Sequence, residues 1–65
     1  MSYREVHRIL QRHGFQPKRQ KGSHIFYEHP NGNTTVVPRH GHEIPAQLVA
    51  KLLKEAGIDP DTVRR

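Results

Sequence analysis

Hydrophobic residues near the start of the chain recur at the spacing of one helix face: Tyr3, Val6, Ile9 and Leu10. At 100° per residue they lie within a stripe roughly 120° wide, as on a helix that packs against a core. Ser2 and Glu5 have the spacing of a capping box, which predicts where the helix begins. Gly14 predicts its end, because glycine readily adopts the left-handed conformation that closes a helix.

The next segments have the pattern of strands. Residues 15–21 are polar and basic and include Pro17, which favours an edge strand or an extended loop. Residues 24–29 and 34–37 are rich in β-forming residues, and the Asn31-Gly32 turn between them predicts a hairpin. Three strands are therefore expected, the first of them mostly polar.

Side chains alternate along a strand, so residues 24–29 are divided between two environments. Ile25 and Tyr27 share one face, which we assign to the core. His24 and Phe26 share the opposite face.

A second helix is predicted between Pro45 and Gly57, with an apolar inner side formed by Leu48, Val49, Leu52, Leu53 and Ala56. The order α-β-β-β-α indicates an α+β fold, in which a three-stranded antiparallel sheet carries both helices on one face. We expect residues 1–65 to form one domain, with its core at about residues 2–58 and a short tail at 59–65. The other sheet face is left exposed.

The net charge is +5, from 11 Lys and Arg against 6 Asp and Glu. The excess lies in residues 1–24, which hold six basic residues and a single acid. Arg4, Arg8 and Arg12 recur every four residues on the helix side opposite the apolar stripe. Such a one-sign stripe is typical of a surface that contacts a polyanion, and nucleic acid is the leading candidate. A solvated basic surface without a partner is the alternative.

Composition excludes several classes of protein. There is no Cys, so neither a disulfide scaffold nor a cysteine zinc site can form. The longest apolar run is three residues, too short for a membrane span or a signal peptide, and a cytoplasmic location is the default. The six histidines match no zinc-binding spacing and have no clustered acids beside them. Neither a metal nor another cofactor is expected.

His24 is the candidate for chemistry. It follows Gly22-Ser23, where the basic segment meets the hairpin, so we expect it beside the charges of Arg19 and Lys21. A phosphate held there would lie within reach of an imidazole, a group that titrates near neutral pH. RNA supplies its own nucleophile, the 2′-hydroxyl, so a positioned acid or base and nearby cations suffice for cleavage. A histidine that only caps a turn is the alternative.

Several segments together resemble the HicA family of toxins, small ribonucleases of bacterial and archaeal toxin–antitoxin modules. The resemblance runs from about residue 3 to residue 58. The segments that carry it are Gly14-Phe15, Lys21-Gly22-Ser23-His24-Ile25-Phe26-Tyr27, Val37-Pro38-Arg39-His40-Gly41 and Leu52-Leu53-Lys54-Glu55-Ala56-Gly57-Ile58.

The resemblance implies a fold similar to the double-stranded-RNA-binding domain, cleavage of messenger RNA and neutralisation by a HicB antitoxin. The family's catalytic histidine corresponds to His24. Contacts to RNA are expected from Arg4, Arg8, Arg12, Lys18, Arg19, Lys21, Ser23, Phe26, Arg39 and His40. Among these, Phe26 is placed to stack on a base, with ordinary partial burial as the alternative. The chain departs from its relatives at Gln16-Pro17, which predicts a short or bulged first strand.

Two other functions stay open. A non-catalytic RNA-binding module of the same fold would bind RNA in a salt-dependent way and leave it intact. A protein-interaction domain would instead dock an acidic partner on the basic surface.

Overall fold

The predicted order of elements is confirmed by a computed structural model, which describes residues 1–39 and 43–63, with the backbone alone at residue 63. The elements are α1 (Tyr3–Arg12), β1 (Gln16–Lys21), β2 (His24–Glu28), β3 (Thr34–Pro38) and α2 (Ala46–Glu55). A short 3₁₀ helix, Pro60–Val63, lies in the tail. Within the described ranges, no helix is long and apolar enough to cross a membrane.

The three strands form one antiparallel sheet with the order β1-β2-β3, so β2 lies in the centre. Every residue of β1 is exposed, as expected for a polar edge strand. The pairing of β1 with β2 shifts register between Pro17 and Arg19, so β1 contains a bulge. The departure at Gln16-Pro17 therefore produces a bulged strand of six residues rather than a short one.

Both helices cover the same face of the sheet, and the core lies between them and the strands. Ile25 and Tyr27 point into it, which confirms their predicted orientation. The full set of buried apolar residues is Val6, Leu10, Phe15, Ile25, Tyr27, Val37, Ile44, Val49, Leu52, Leu53, Ala56 and Ile58. The prediction that Leu48 lines the inner side of α2 is wrong, since this side chain is 36% exposed. At 100° per residue, it lies about 90° from the centre of the buried side.

Polar contacts hold the element ends and join the layers. The capping box at the start of α1 is confirmed: the Glu5 N–H donates to Ser2 Oγ at 3.2 Å, and the Ser2 N–H donates to Glu5 Oε1 at 2.8 Å. The buried Thr35 hydroxyl donates to the Leu52 carbonyl at 3.0 Å, which ties α2 to β3. A Thr35 hydroxyl buried without a partner would cost stability, so this bond helps to fix the position of α2 along the strand.

Candidate active site and nucleic-acid interface

His24 is the first residue of the central strand, and its side chain is exposed on the sheet face that the helices leave open. It pairs with Lys21 on β1 and with Pro38 on β3. The connection from β1 to β2 consists of Gly22 and Ser23, and Gly22 has a φ of +60°. A glycine with positive φ at the first turn position suits a tight two-residue hairpin, which sets Lys21 directly opposite His24. The expected proximity of this histidine to basic charge is therefore present in the fold.

A second row of side chains crosses the same open face. Phe26 pairs with Arg19 on one side and with Val36 on the other. The Arg19 guanidinium carbon lies 4.8 Å from the centroid of the Phe26 ring, within the range of a cation–π contact. Phe26 is only partly buried. The open face thus presents a cation stacked on an aromatic ring, two residues along β2 from the His24–Lys21 pair.

A groove of about 310 Å³ lies beside His24, between the open face and α2. The strands contribute His24, Val36 and Pro38, and the helix contributes Leu48, Lys51, Leu52 and Glu55. Sequence reasoning missed the helix side of this groove. The available signal was the spacing of Leu48, Lys51 and Glu55, which recur at intervals of three and four residues and therefore share one face of α2.

The sheet does not bring Arg39 to the open face. Its backbone N–H donates to the Ser23 carbonyl at 2.5 Å, so its main chain lies close to the turn before His24. However, its guanidinium carbon lies 5.3 Å from the centroid of the Tyr3 ring, at the start of α1. The Arg39 side chain therefore extends toward the helix side. His40, the neighbouring candidate, lies outside the described residues.

The predicted arginine stripe of α1 is exposed on the far side of the sheet from His24. Val6 and Leu10 turn the inner side of α1 into the core, and Arg4, Arg8 and Arg12 project from its outer side. Lys18 is exposed at the bulge of β1, on the free edge of the sheet. The structure thus groups the predicted contacts into three places: the open face, the β1 edge and the outer side of α1.

A hydrogen-bonded cluster joins α1 to the sheet where the sequence pattern indicated only core packing. The Tyr27 hydroxyl lies 2.6 Å from the Tyr3 hydroxyl and 2.6 Å from His7 Nδ1. Burial raises the pKa of the Tyr27 hydroxyl well above its ordinary value, and the hydrogen bond with Tyr3 raises it further. Tyr27 is therefore a neutral hydrogen-bonding residue of the core and does not take part in the open face.

These features define a class of protein: a small domain similar in fold to the double-stranded-RNA-binding domain, with a basic open sheet face that carries an exposed histidine. The model of the family described as HicA toxin of bacterial toxin-antitoxin systems matches residues 3–58. The chain belongs to the HicA toxin family, and its role is that of the toxin in a toxin–antitoxin pair. A comparison with curated protein sequences gave no match.

Proposed function

We propose that this HicA toxin is an endoribonuclease that cleaves messenger RNA in the cytoplasm and so blocks translation, without a metal ion. The observation that carries the proposal is the exposed His24 side chain on the open face, directly opposite Lys21. A phosphate neutralised by Lys21 and Arg19 would place its ribose and leaving oxygen beside the imidazole. No other histidine of the described residues lies on this face next to a basic partner.

The chemistry needs one proton carrier and nearby positive charge. The 2′-oxygen forms a bond to phosphorus, the bond from phosphorus to the 5′-oxygen breaks, and the products are a 2′,3′-cyclic phosphate and a 5′-hydroxyl. His24 either accepts the proton of the 2′-hydroxyl, while water protonates the leaving 5′-oxygen, or donates a proton to the 5′-oxygen, while water accepts the proton of the 2′-hydroxyl. Lys21 and Arg19 stabilise the negative charge that builds up on the phosphoryl oxygens. Phe26, with Arg19 against its ring, offers a surface on which a neighbouring base stacks.

The test compares His24→Ala with wild-type protein in single-turnover cleavage of RNA. The variant is expected to lose about 10² or more in rate, and to keep its RNA affinity because the cationic contacts remain. Since His24 is exposed, the variant should also keep its thermal stability. Wild-type products should carry a 2′,3′-cyclic phosphate, and EDTA should not slow the reaction. A metal-activated water would usually leave a 5′-phosphate instead.

His13→Ala is a matched control, because His13 is also exposed but lies at the end of α1, where its Nδ1 is 3.0 Å from the Ile9 carbonyl. It should cleave at the wild-type rate. If His24→Ala cleaves as fast per folded molecule as His13→Ala, the mechanism is wrong. If wild-type protein binds RNA but leaves it intact, the non-catalytic RNA-binding module is the correct function. Inducing each form alone in a bacterium tests the same distinction by growth arrest.

A further inference from the structure

The α1 arginine face, formed by Arg4, Arg8 and Arg12, is a regular row of cations. With a rise of 1.5 Å per residue, the Cα atoms of successive arginines lie about 6 Å apart along the helix axis. All three residues are exposed. Glu5, the acid on this helix, accepts the Ser2 N–H in the capping box. A row of like charges repels itself and weakens the helix slightly, so a polyanion that neutralises it gains binding energy.

The sheet separates this row from His24. Val6 and Leu10 pack in the same core as Ile25 and Val37, so α1 lies on the helix side of the sheet. His24 belongs to the opposite side. The Cα atoms span 28 × 26 × 16 Å, so even the shortest dimension exceeds the reach of a single phosphate group. Any phosphate held by the α1 arginine face would therefore not be that of the cleaved bond.

A basic path over the β1 edge connects the two sides. The open face ends at Arg19, and Lys18 is exposed at the bulge beside it. A cleft of about 340 Å³ at this edge is lined by Tyr3, Pro17, Lys18, Arg19, Gln20 and Arg39, together with Ile25. Tyr3 is the first residue of α1, and Arg4 follows it. Cations thus continue from the open face, around the free edge of the sheet, to the start of the arginine face.

We propose that a single-stranded RNA follows this path, with its cleaved bond at His24 and a more distant stretch of its backbone on the α1 arginine face. The inference rests on RNA being the substrate, as proposed above. A duplex is too stiff to bend around a domain of this size, whereas a single strand bends freely. The α1 arginine face therefore raises affinity for long RNA and contributes nothing to the reaction on a short one.

The experiment uses two unstructured oligouridylates, a tetranucleotide and one of about 16 nucleotides. The longer length is the upper limit of the binding-site size of small single-strand-binding domains. The triple variant Arg4→Gln, Arg8→Gln, Arg12→Gln should bind the long RNA at least about tenfold more weakly and reduce its logarithmic salt slope by about 2 units. Cleavage of the tetranucleotide should stay within about twofold of wild type, because these arginines lie far from the reacting atoms.

Two control proteins identify the cause of any change. The triple Arg→Lys variant keeps the charges and should restore most of the affinity, while Lys54→Gln removes one exposed charge from α2 and should leave the salt slope nearly unchanged. Circular dichroism verifies that the helix content is unchanged in each variant. If the triple Arg→Gln variant keeps the wild-type affinity and salt slope on the long RNA, the inference is wrong. It is also wrong if this variant loses as much cleavage activity on the tetranucleotide as it loses affinity for the long RNA.

Failure of the proposed function gives a different result. If wild-type protein cleaves neither RNA, catalysis at His24 is wrong, while the binding comparison on the uncleaved long RNA still decides the role of the α1 arginine face.

Discussion

His7 Nδ1 lies 2.6 Å from the Tyr27 hydroxyl, and this contact links the partly buried side of α1 to the central strand. Tyr3 completes the cluster with its own hydroxyl 2.6 Å from that of Tyr27. The cluster satisfies a hydroxyl group that would otherwise be buried without a partner, since Tyr27 is 1% exposed. Because burial raises the pKa of Tyr27, the stability of the fold should also depend on pH in the alkaline range.

Tyr27→Phe should lower the free energy of unfolding at neutral pH by about 0.5–1.5 kcal/mol, the usual net value of a hydrogen bond. The pKa of Tyr27 is raised in the folded protein, chiefly by burial. Above about pH 10, unfolded chains therefore release a proton that folded chains retain, and stability falls as the pH rises. Tyr27→Phe lacks this loss, so its deficit relative to wild type should shrink between about pH 9 and pH 11. Urea unfolding at several pH values measures the difference in unfolding free energy between the variant and wild type. A difference that stays constant with pH would contradict the raised pKa of Tyr27.

Gly14→Ala should destabilise the protein more than Gly22→Ala. Both glycines have a positive φ, +90° and +60°, so both substitutions introduce backbone strain of about 1–2 kcal/mol. Only at Gly14 would the new Cβ meet a neighbour, because it would lie 2.7 Å from His29 Nε2. His29 in turn packs edge-on against Phe15, with ring centroids 5.2 Å apart, so its displacement disturbs the core.

Thermal or urea melts of both alanine variants check this prediction, with Gly22→Ala as the control because no atom lies within 4 Å of its ideal Cβ position. In a His29→Ala background, Gly14→Ala should lower the free energy of unfolding by less than it does in the wild-type protein. Equal costs in the two single variants would show that His29 moves away freely.

Phe26→Leu should weaken binding of single-stranded RNA by about 1–3 kcal/mol, roughly 5- to 160-fold, because leucine keeps apolar bulk but cannot stack on a base. Phe26→Tyr keeps the ring and should bind nearly as wild type. The partly exposed position of Phe26 makes both variants compatible with the fold. Filter-binding titrations measure the affinities, and equal binding by the leucine and tyrosine variants would assign Phe26 to packing alone.

Binding of the antitoxin should protect the open face and the strand segment before it. We expect a HicB-type acidic partner to lower hydrogen exchange at residues 18–28, which include the basic part of β1 and the His24 turn. Charge complementarity would make this association faster at low salt. Exchange measured on the free and bound toxin tests this directly. Protection confined to α2 would mean that the antitoxin controls the toxin without covering His24.

The helices and the hairpin could be predicted from sequence because each depends on local chemistry. Capping at Ser2 and Glu5, helix closure at Gly14 and the Asn31-Gly32 turn involve residues a few positions apart, and their outcomes agree with the pattern. Leu48 did not follow its pattern. Whether a residue at the margin of an apolar stripe is buried depends on what packs there, and at Leu48 the sheet leaves an open groove.

The sequence predicted the part of the candidate site that lies on the strands. Alternation along β2 placed His24 and Phe26 on the face opposite Ile25, and strand pairing then set Lys21 and Arg19 beside them. The sequence could not place Arg39, because the direction of its side chain depends on how the chain passes from β3 toward α2. It likewise did not reveal the bond between His7 and Tyr27, which are 20 positions apart.

By itself, the sequence determined the order of elements, the basic character of the first third of the chain and the exposed position of His24, since local spacing and strand alternation decide these. Only the tertiary structure decided which basic residues share a surface. It places Lys21 with His24 on the open face and Arg8 on the far side of the sheet, although both belong to the same basic segment. The physical reason is that the helices must bury their apolar sides on one face of the sheet, and this burial turns the polar side of α1 away from the strands.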